Sequence, residues 1–160
     1  MTHEEISNFL HYSPTSGVFT WKVDAAKNVK AGRPAGCVQS HGYIYIALKK
    51  KRYAAHRLAW FMTFKEWPKK YIDHINGDKT DNRIDNIREA SASENGQNRK
   101  PNKNNKTGLK GVTRHNKKFR AEINHQQKNF YLGVFDTAEQ AASAYAKAAK
   151  KLHTHNNTKG

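Results

Sequence analysis

Asp73-His74-Ile75-Asn76-Gly77-Asp78, then Asp81-Asn82-Arg83-Ile84-Asp85-Asn86, then Ser91-Ala92-Ser93-Glu94-Asn95, is the stretch on which the fold turns. Tyr71 to His74 reads as a short strand that ends at an imidazole. Asn76-Gly77-Asp78 is turn chemistry, because Gly permits positive φ and Asn and Asp bond their own backbone. Ile84 to Glu89 reads as the return strand. Ser91 and Glu94 form a capping box, so a helix should start near Ala92. The expected unit is strand, loop, strand, helix, with Asp73, His74 and Asn95 brought together.

These residue types suit one reaction. Asp73 offers a hard anionic oxygen and Asn95 a neutral amide oxygen. Two protein ligands leave coordination positions for water and phosphate oxygens, which Mg²⁺ prefers. A metal so placed stabilises a leaving 3′-oxygen and the extra phosphoryl charge. His74 can take a proton from the attacking water, since imidazole titrates near neutral pH. Asp73 and His74 are adjacent, so the strand must end or twist here for both to face one site. Asp78, Asp81 and Asp85 read as solvated or loop-stabilising carboxylates, with Asp78 and Asp81 as an alternative metal pair. His56 reads as a supporting residue that orients a carbonyl or packs beside the site. Arg57 and Arg83 are candidate phosphate clamps, with a structural salt bridge as the competing role.

Composition points to a polyanion. The chain has 160 residues, 29 Lys or Arg against 13 acids, and a net charge of +16. Cationic side chains gain by releasing phosphate counterions, so a nucleic acid such as double-stranded DNA is the expected partner. An anionic membrane surface is disfavoured because no basic amphipathic helix is present. One cysteine, Cys37, excludes an intramolecular disulfide and a multi-Cys zinc site. Met1-Thr2-His3-Glu4-Glu5 is not a signal sequence, and no apolar run is long enough to span a bilayer. An intracellular, reduced, non-secreted protein is expected, with no small-molecule cofactor.

Three segments separate along the chain. Residues 1–98 hold the opening stretch and its lead-in, residues 99–107 form a polar basic linker, and residues 108–157 form a second compact unit. The tail after His155 is expected to fray. In the lead-in, Glu4 to Leu10 has a helical pattern and Pro14-Thr15-Ser16-Gly17 is a turn. Val18 to Trp21 and Tyr43 to Leu48 have strand character. Lys49-Lys50-Lys51 turns the chain into Arg52 to Ala55, and a helix runs from about His56 to Phe64. The Trp and Tyr residues of this region are expected in the core.

Residues Ile72 to Asn98 resemble the HNH endonuclease family, whose ββα-metal fold has this order of elements. Ala55-His56-Arg57-Leu58-Ala59-Trp60 also resembles the lead-in of phage-type members. The resemblance implies that His74 is the general base and that Asn86 is the central Asn, which fixes the loop and orients the base. Asn95 stands where the last His usually stands, so the motif is the H-N-N variant of homing endonucleases. Asp73 fills the other metal position. The missing terminal His favours Mg²⁺ or Mn²⁺ over softer metals. Products with 5′-phosphate and 3′-hydroxyl ends are implied.

After Gly108, three short strands alternate apolar and polar residues, and Thr137 with Gln140 makes a further capping box. Ala141, Ala144, Tyr145, Ala148 and Leu152 then recur at helical spacing. From Arg99 to Lys128 there are ten Lys or Arg and one acid, Glu122. One sheet face can therefore be cationic while the other packs on the helix, and such a sheet can enter the major groove. Gly111 to Arg114, Phe119 to Ile123, Tyr131 to Thr137 and Ala138 to Tyr145 resemble the Apetala or ethylene-response-factor DNA-binding domain. That resemblance implies DNA contacts from Arg114, Lys118 and Arg120, with Lys128 as a weaker candidate. Its usual Trp positions are Phe119 and Tyr131 here, so its target sequence does not transfer.

The expected class is α+β: an N-terminal ββα-metal nuclease domain and a small C-terminal three-stranded antiparallel sheet on one helix. The expected function is a divalent-metal-dependent DNA endonuclease, acting as a monomer or homodimer. The alternative is a non-catalytic DNA-binding regulator with a degenerate nuclease half. An intact Asp73, His74, Asn86 and Asn95 set argues against that alternative.

Overall fold

The computed structural model describes residues 1–97, 101 and 104–153. Part of the expected linker (99, 100, 102 and 103) and the expected frayed tail lie outside the described residues. The chain divides into two compact units, Met1–Ala90 and Ser91–Gly160. No described helix is long and apolar enough to cross a membrane.

The first unit opens with α1 (His3–Ser7), started by a capping box between Thr2 and Glu5. The helix expected through Leu10 stops at Ser7, because Leu10 is the first residue of β1 (Leu10–Tyr12). β1 pairs antiparallel with β2 (Phe19–Trp21), setting Leu10 opposite Trp21 and Tyr12 opposite Phe19. All four are buried. A strand buries Leu10 and Tyr12 on one face, which a helix would split, since its period is 3.6 rather than two. The turn between these strands approaches the backbone of Asn82 and Arg83. Gly17 sits there at φ +73°, and a Cβ on it would lie 2.4 Å from Arg83 N. Only glycine fits both the dihedral and the space.

β3 (Cys37–Val38), β4 (Ile44–Leu48) and β5 (Lys51–Ala54) form an antiparallel sheet in that order. Lys49 and Lys50 make the tight turn between β4 and β5, both with positive φ. α2 (Ala55–Phe64) follows and ends at Lys65, which is left-handed. Ile6, Leu10, Ile46 and Leu58 are the largest fully buried side chains of the resulting core. Trp21 and Tyr12 belong to it, and Trp60 and Tyr53 pack against it partly buried. Tyr43 and Tyr45 instead pack at a tilt against histidine rings.

β6 (Tyr71–His74) and β7 (Ile87–Ala90) form a two-stranded antiparallel ribbon. The return strand expected from Ile84 begins only at Ile87, because Ile84–Asn86 is a 3₁₀ turn. Asn86 N closes that turn on Arg83 O, and its side chain bonds back to the loop.

The second unit begins with α3 (Ala92–Gln97), where Ser91 N donates to Glu94 Oε2 and Glu94 N to Ser91 Oγ. The end of the expected linker is tied down, as Asn105 Nδ2 donates to Leu109 O at 2.7 Å and Thr107 Oγ1 to Val112 O at 2.9 Å. β8 (Val112–His115), β9 (Lys118–His125) and β10 (Lys128–Phe135) form an antiparallel sheet with β9 central. α4 (Ala138–Leu152) starts at the Thr137–Gln140 capping box. It buries Ala141, Tyr145 and Ala149 against Val112, Ala121 and Ile123. Gly111, at φ +70°, lets the Tyr145 ring lie where a Cβ would stand.

Candidate active site

β6 carries Asp73 and His74 at its end, and both are buried, with 5% and 4% exposure. Cross-strand register sets His74 opposite Ile87 and Asp73 opposite Arg88. The loop that follows is braced at every turn. Gly77 N donates to His74 O, and Ile75 N to Asn86 O. Asn86 Oδ1 accepts from Asn76 N at 3.0 Å, while its Nδ2 donates to Asn76 Oδ1 and to Asp81 O. One buried amide thus joins both ends of the 76–86 loop.

Asn82 is one residue that sequence reasoning missed. It is 1% exposed, and its Oδ1 lies 3.2 Å from His74 Nε2. Its Nδ2 donates to Thr80 O, and its carbonyl accepts the Tyr12 hydroxyl at 2.8 Å. An amide oxygen only accepts, so His74 Nε2 is the protonated nitrogen and Nδ1 carries the lone pair. Burial pushes the His74 pKa below its ordinary value. The bond to Asn82 and the fields of Asp73, Asp78 and Asp81 oppose that fall without reversing it. His74 is therefore neutral near neutral pH, the state a general base needs.

Two rings enclose His74. His56, on α2, lies edge-on with ring centroids 5.3 Å apart, and Tyr43 lies 5.9 Å away. Tyr43 also packs on His56 at 5.1 Å, with Lys79 Nζ 4.6 Å from its ring centre. Burial, with His74 and Arg57 nearby, lowers the His56 pKa to about 3. His56 Nδ1 is buried without a partner among the described residues. A neutral His56 packs edge-on beside His74.

Asp73 faces a cation already. Arg88 Nη2 and Nε both donate to Asp73 Oδ2, at 3.0 and 3.2 Å. The position accommodates positive charge against a hard oxygen, so its chemistry fits a divalent ion. Among the described residues, no three His, Cys, Asp or Glu side chains are grouped to hold a metal. Asn95 lies on α3, its backbone N–H donating to Ser91 O.

The expected clamps are engaged elsewhere. Arg57 donates to Pro68 O and Lys70 O, pinning the chain that enters β6. Arg83 pairs with Asp81 at 2.6 Å, and that contact, largest among the causes, lowers the Asp81 pKa to about 2. Asp78 caps Thr80 through its backbone and hydroxyl. Asp78 and Asp81 thus stabilise the loop.

In the second unit, strand register revises the expected cationic face. Arg114 pairs with Phe119 and shares the face of Val112, which is the helix side. Lys128 pairs with His125, also in register with that side. The outer face carries Lys118, Arg120, Glu122 and Tyr131 by two-residue alternation. Lys118 pairs with Asp136 at 2.8 Å. Arg120 pairs with Glu122 and lies 5.6 Å from the Tyr131 ring centre. The sequence count of cations did not reveal which face each one takes.

Comparison with curated proteins gave no match, and comparison with solved structures gave none. Residues 53–97 match the model of a family described as HNH endonuclease. The match runs from β5 to the end of α3, over Asp73, His74, Asn86 and Asn95, so this segment is similar to HNH endonucleases.

Proposed function

We propose that the protein is a divalent-metal-dependent DNA endonuclease of the homing type, with a C-terminal Apetala or ethylene-response-factor-type domain that guides it to DNA. One observation carries the reading. A neutral, buried His74, held by Asn82, directly follows the buried Asp73 along β6 within the matched segment. His74 Nδ1 takes a proton from water as that water attacks phosphorus, and the bond to the 3′-oxygen breaks. The 5′-phosphate stays on the downstream strand, and the 3′-oxygen leaves with a proton from solvent. Asp73 would hold Mg²⁺ or Mn²⁺, which would supply charge stabilisation for the phosphoryl and leaving oxygens. Asn86 fixes the 76–86 loop, and Asn82 fixes the tautomer of the base.

Recognition is assigned to the outer face of the second sheet, where Lys118, Arg120 and Tyr131 meet DNA. Two DNA-binding units on one chain raise effective concentration, so each can be weak alone. The test separates the roles. His74→Ala should abolish cleavage of plasmid DNA and keep duplex affinity. Loss of affinity equal to that of an Arg120→Ala, Lys118→Ala double variant would contradict this division.

A further inference from the structure

The mechanism leaves one half-buried cation, Arg88, without a role. Arg88 stands directly across the ribbon from Asp73, so their side chains share a face. Its two donor groups both fall on Oδ2, and its side chain is 26% exposed against 5% for Asp73. A carboxylate buried this far needs a counter-charge, because desolvation disfavours the lone anion. Arg88 provides one.

We propose that Arg88 is the resident counter-cation of Asp73, which a divalent metal must displace, and that this exchange couples metal loading to phosphate binding. The inference rests on the reading of Asp73 as a metal ligand. A guanidinium stays charged at any working pH, so it leaves the carboxylate by moving and not by losing a proton. Metal and guanidinium repel each other across one carboxylate. The displaced fork needs another anion, and a phosphate suits it bidentately. DNA at the site offers that anion. Free protein should therefore bind metal weakly, and DNA should tighten it, with metal tightening DNA by the same factor.

The test reads Mn²⁺ affinity by electron paramagnetic resonance on the full chain, in a His74→Ala background that prevents cleavage. Without DNA, Arg88→Gln should bind Mn²⁺ about tenfold more tightly, within the usual range of such couplings. A duplex should tighten Mn²⁺ binding when Arg88 is present and do so much less in Arg88→Gln. Equal Mn²⁺ affinity with and without the Arg88 substitution overturns the proposal. Asp73→Asn separates the two levels of the argument. If it keeps full Mn²⁺ affinity, the metal reading of Asp73 fails, and the exchange with it. If it loses Mn²⁺ while Arg88→Gln changes nothing, the exchange alone fails. Should Arg88→Gln not fold, the duplex effect with Arg88 intact still decides, with Asp73→Asn as the baseline for Mn²⁺ on DNA itself. No tightening beyond that baseline overturns the proposal.

Discussion

His74 Nε2 and Asn82 Oδ1 lie 3.2 Å apart, and this one bond decides which imidazole nitrogen carries the lone pair. Asn82 is in turn anchored by Thr80 and by the hydroxyl of Tyr12. The base is thus oriented by residues from the 76–86 loop and from β1, far away in sequence. Asn82→Ala should slow cleavage by about 10²-fold, the lower part of the range for misplacing a general base. The bond to Asn82 raises the His74 pKa, so its removal lets that pKa fall further. The acid limb of kcat/KM should then move to lower pH, a shift that general loosening would not produce. An unmoved acid limb would show that Asn82 acts on packing alone.

Stability should depend on pH through the same pair of rings. His56 has a folded pKa of about 3, against about 6.5 in the unfolded chain. Below 6.5 the unfolded state takes up a proton that the folded state refuses. The contribution is therefore complete above pH 6.5 and is lost as pH falls from 6.5 towards 3, by up to about 1.4 kcal/mol per pH unit. His74 is shifted in the same direction and adds to the slope. Urea unfolding followed by tryptophan fluorescence at pH 7 and pH 5 should show the loss. His56→Phe should reduce it, and an unchanged slope would contradict the assignment.

DNA affinity should distinguish two arginines that look equivalent in sequence. Arg120 stands on the outer sheet face with Tyr131, while Arg114 shares the helix side with Val112. Arg120→Ala should weaken duplex binding more than Arg114→Ala, and should lower the slope of log affinity against log salt by about one. Fluorescence anisotropy across a salt series measures both. A larger loss from Arg114→Ala would place the interface elsewhere.

Gly17 links the first hairpin to the catalytic loop. A Cβ there would lie 2.4 Å from Arg83 N and 2.6 Å from Asn82 C, at a φ of +73°. Gly17→Ala should destabilise the first unit by about 2 kcal/mol or more, combining overpacking with backbone strain. The cost should appear in thermal melts. Cleavage by the folded fraction should also fall, because the backbone that must yield carries Asn82.

Much of this was legible in the chain itself. Tyr71 to His74 reads as a strand and is one, because Ile72 alternates with polar neighbours and turn residues follow at once. The capping boxes at Ser91 and Thr137 placed helix starts, since their bonds are local. Asn82 was not legible. It looked like one more turn residue, and its partners, Tyr12 and His74, are set by tertiary packing. The early end of α1 was hidden for the same reason, since pairing with Trp21 and not local propensity claims Leu10. Arg88 was missed because only register shows that it faces Asp73. Charge counts, likewise, do not tell which face of a strand a cation takes.

The most direct measurement of the central claim is supercoiled plasmid incubated with the purified chain in Mg²⁺, in Mn²⁺ and in EDTA, at several salt concentrations. Conversion to nicked or linear DNA with either metal, none in EDTA, and none with His74→Ala is the expected result. Plasmid that stays supercoiled with both metals at every salt concentration, while the chain still binds it, would contradict the endonuclease reading.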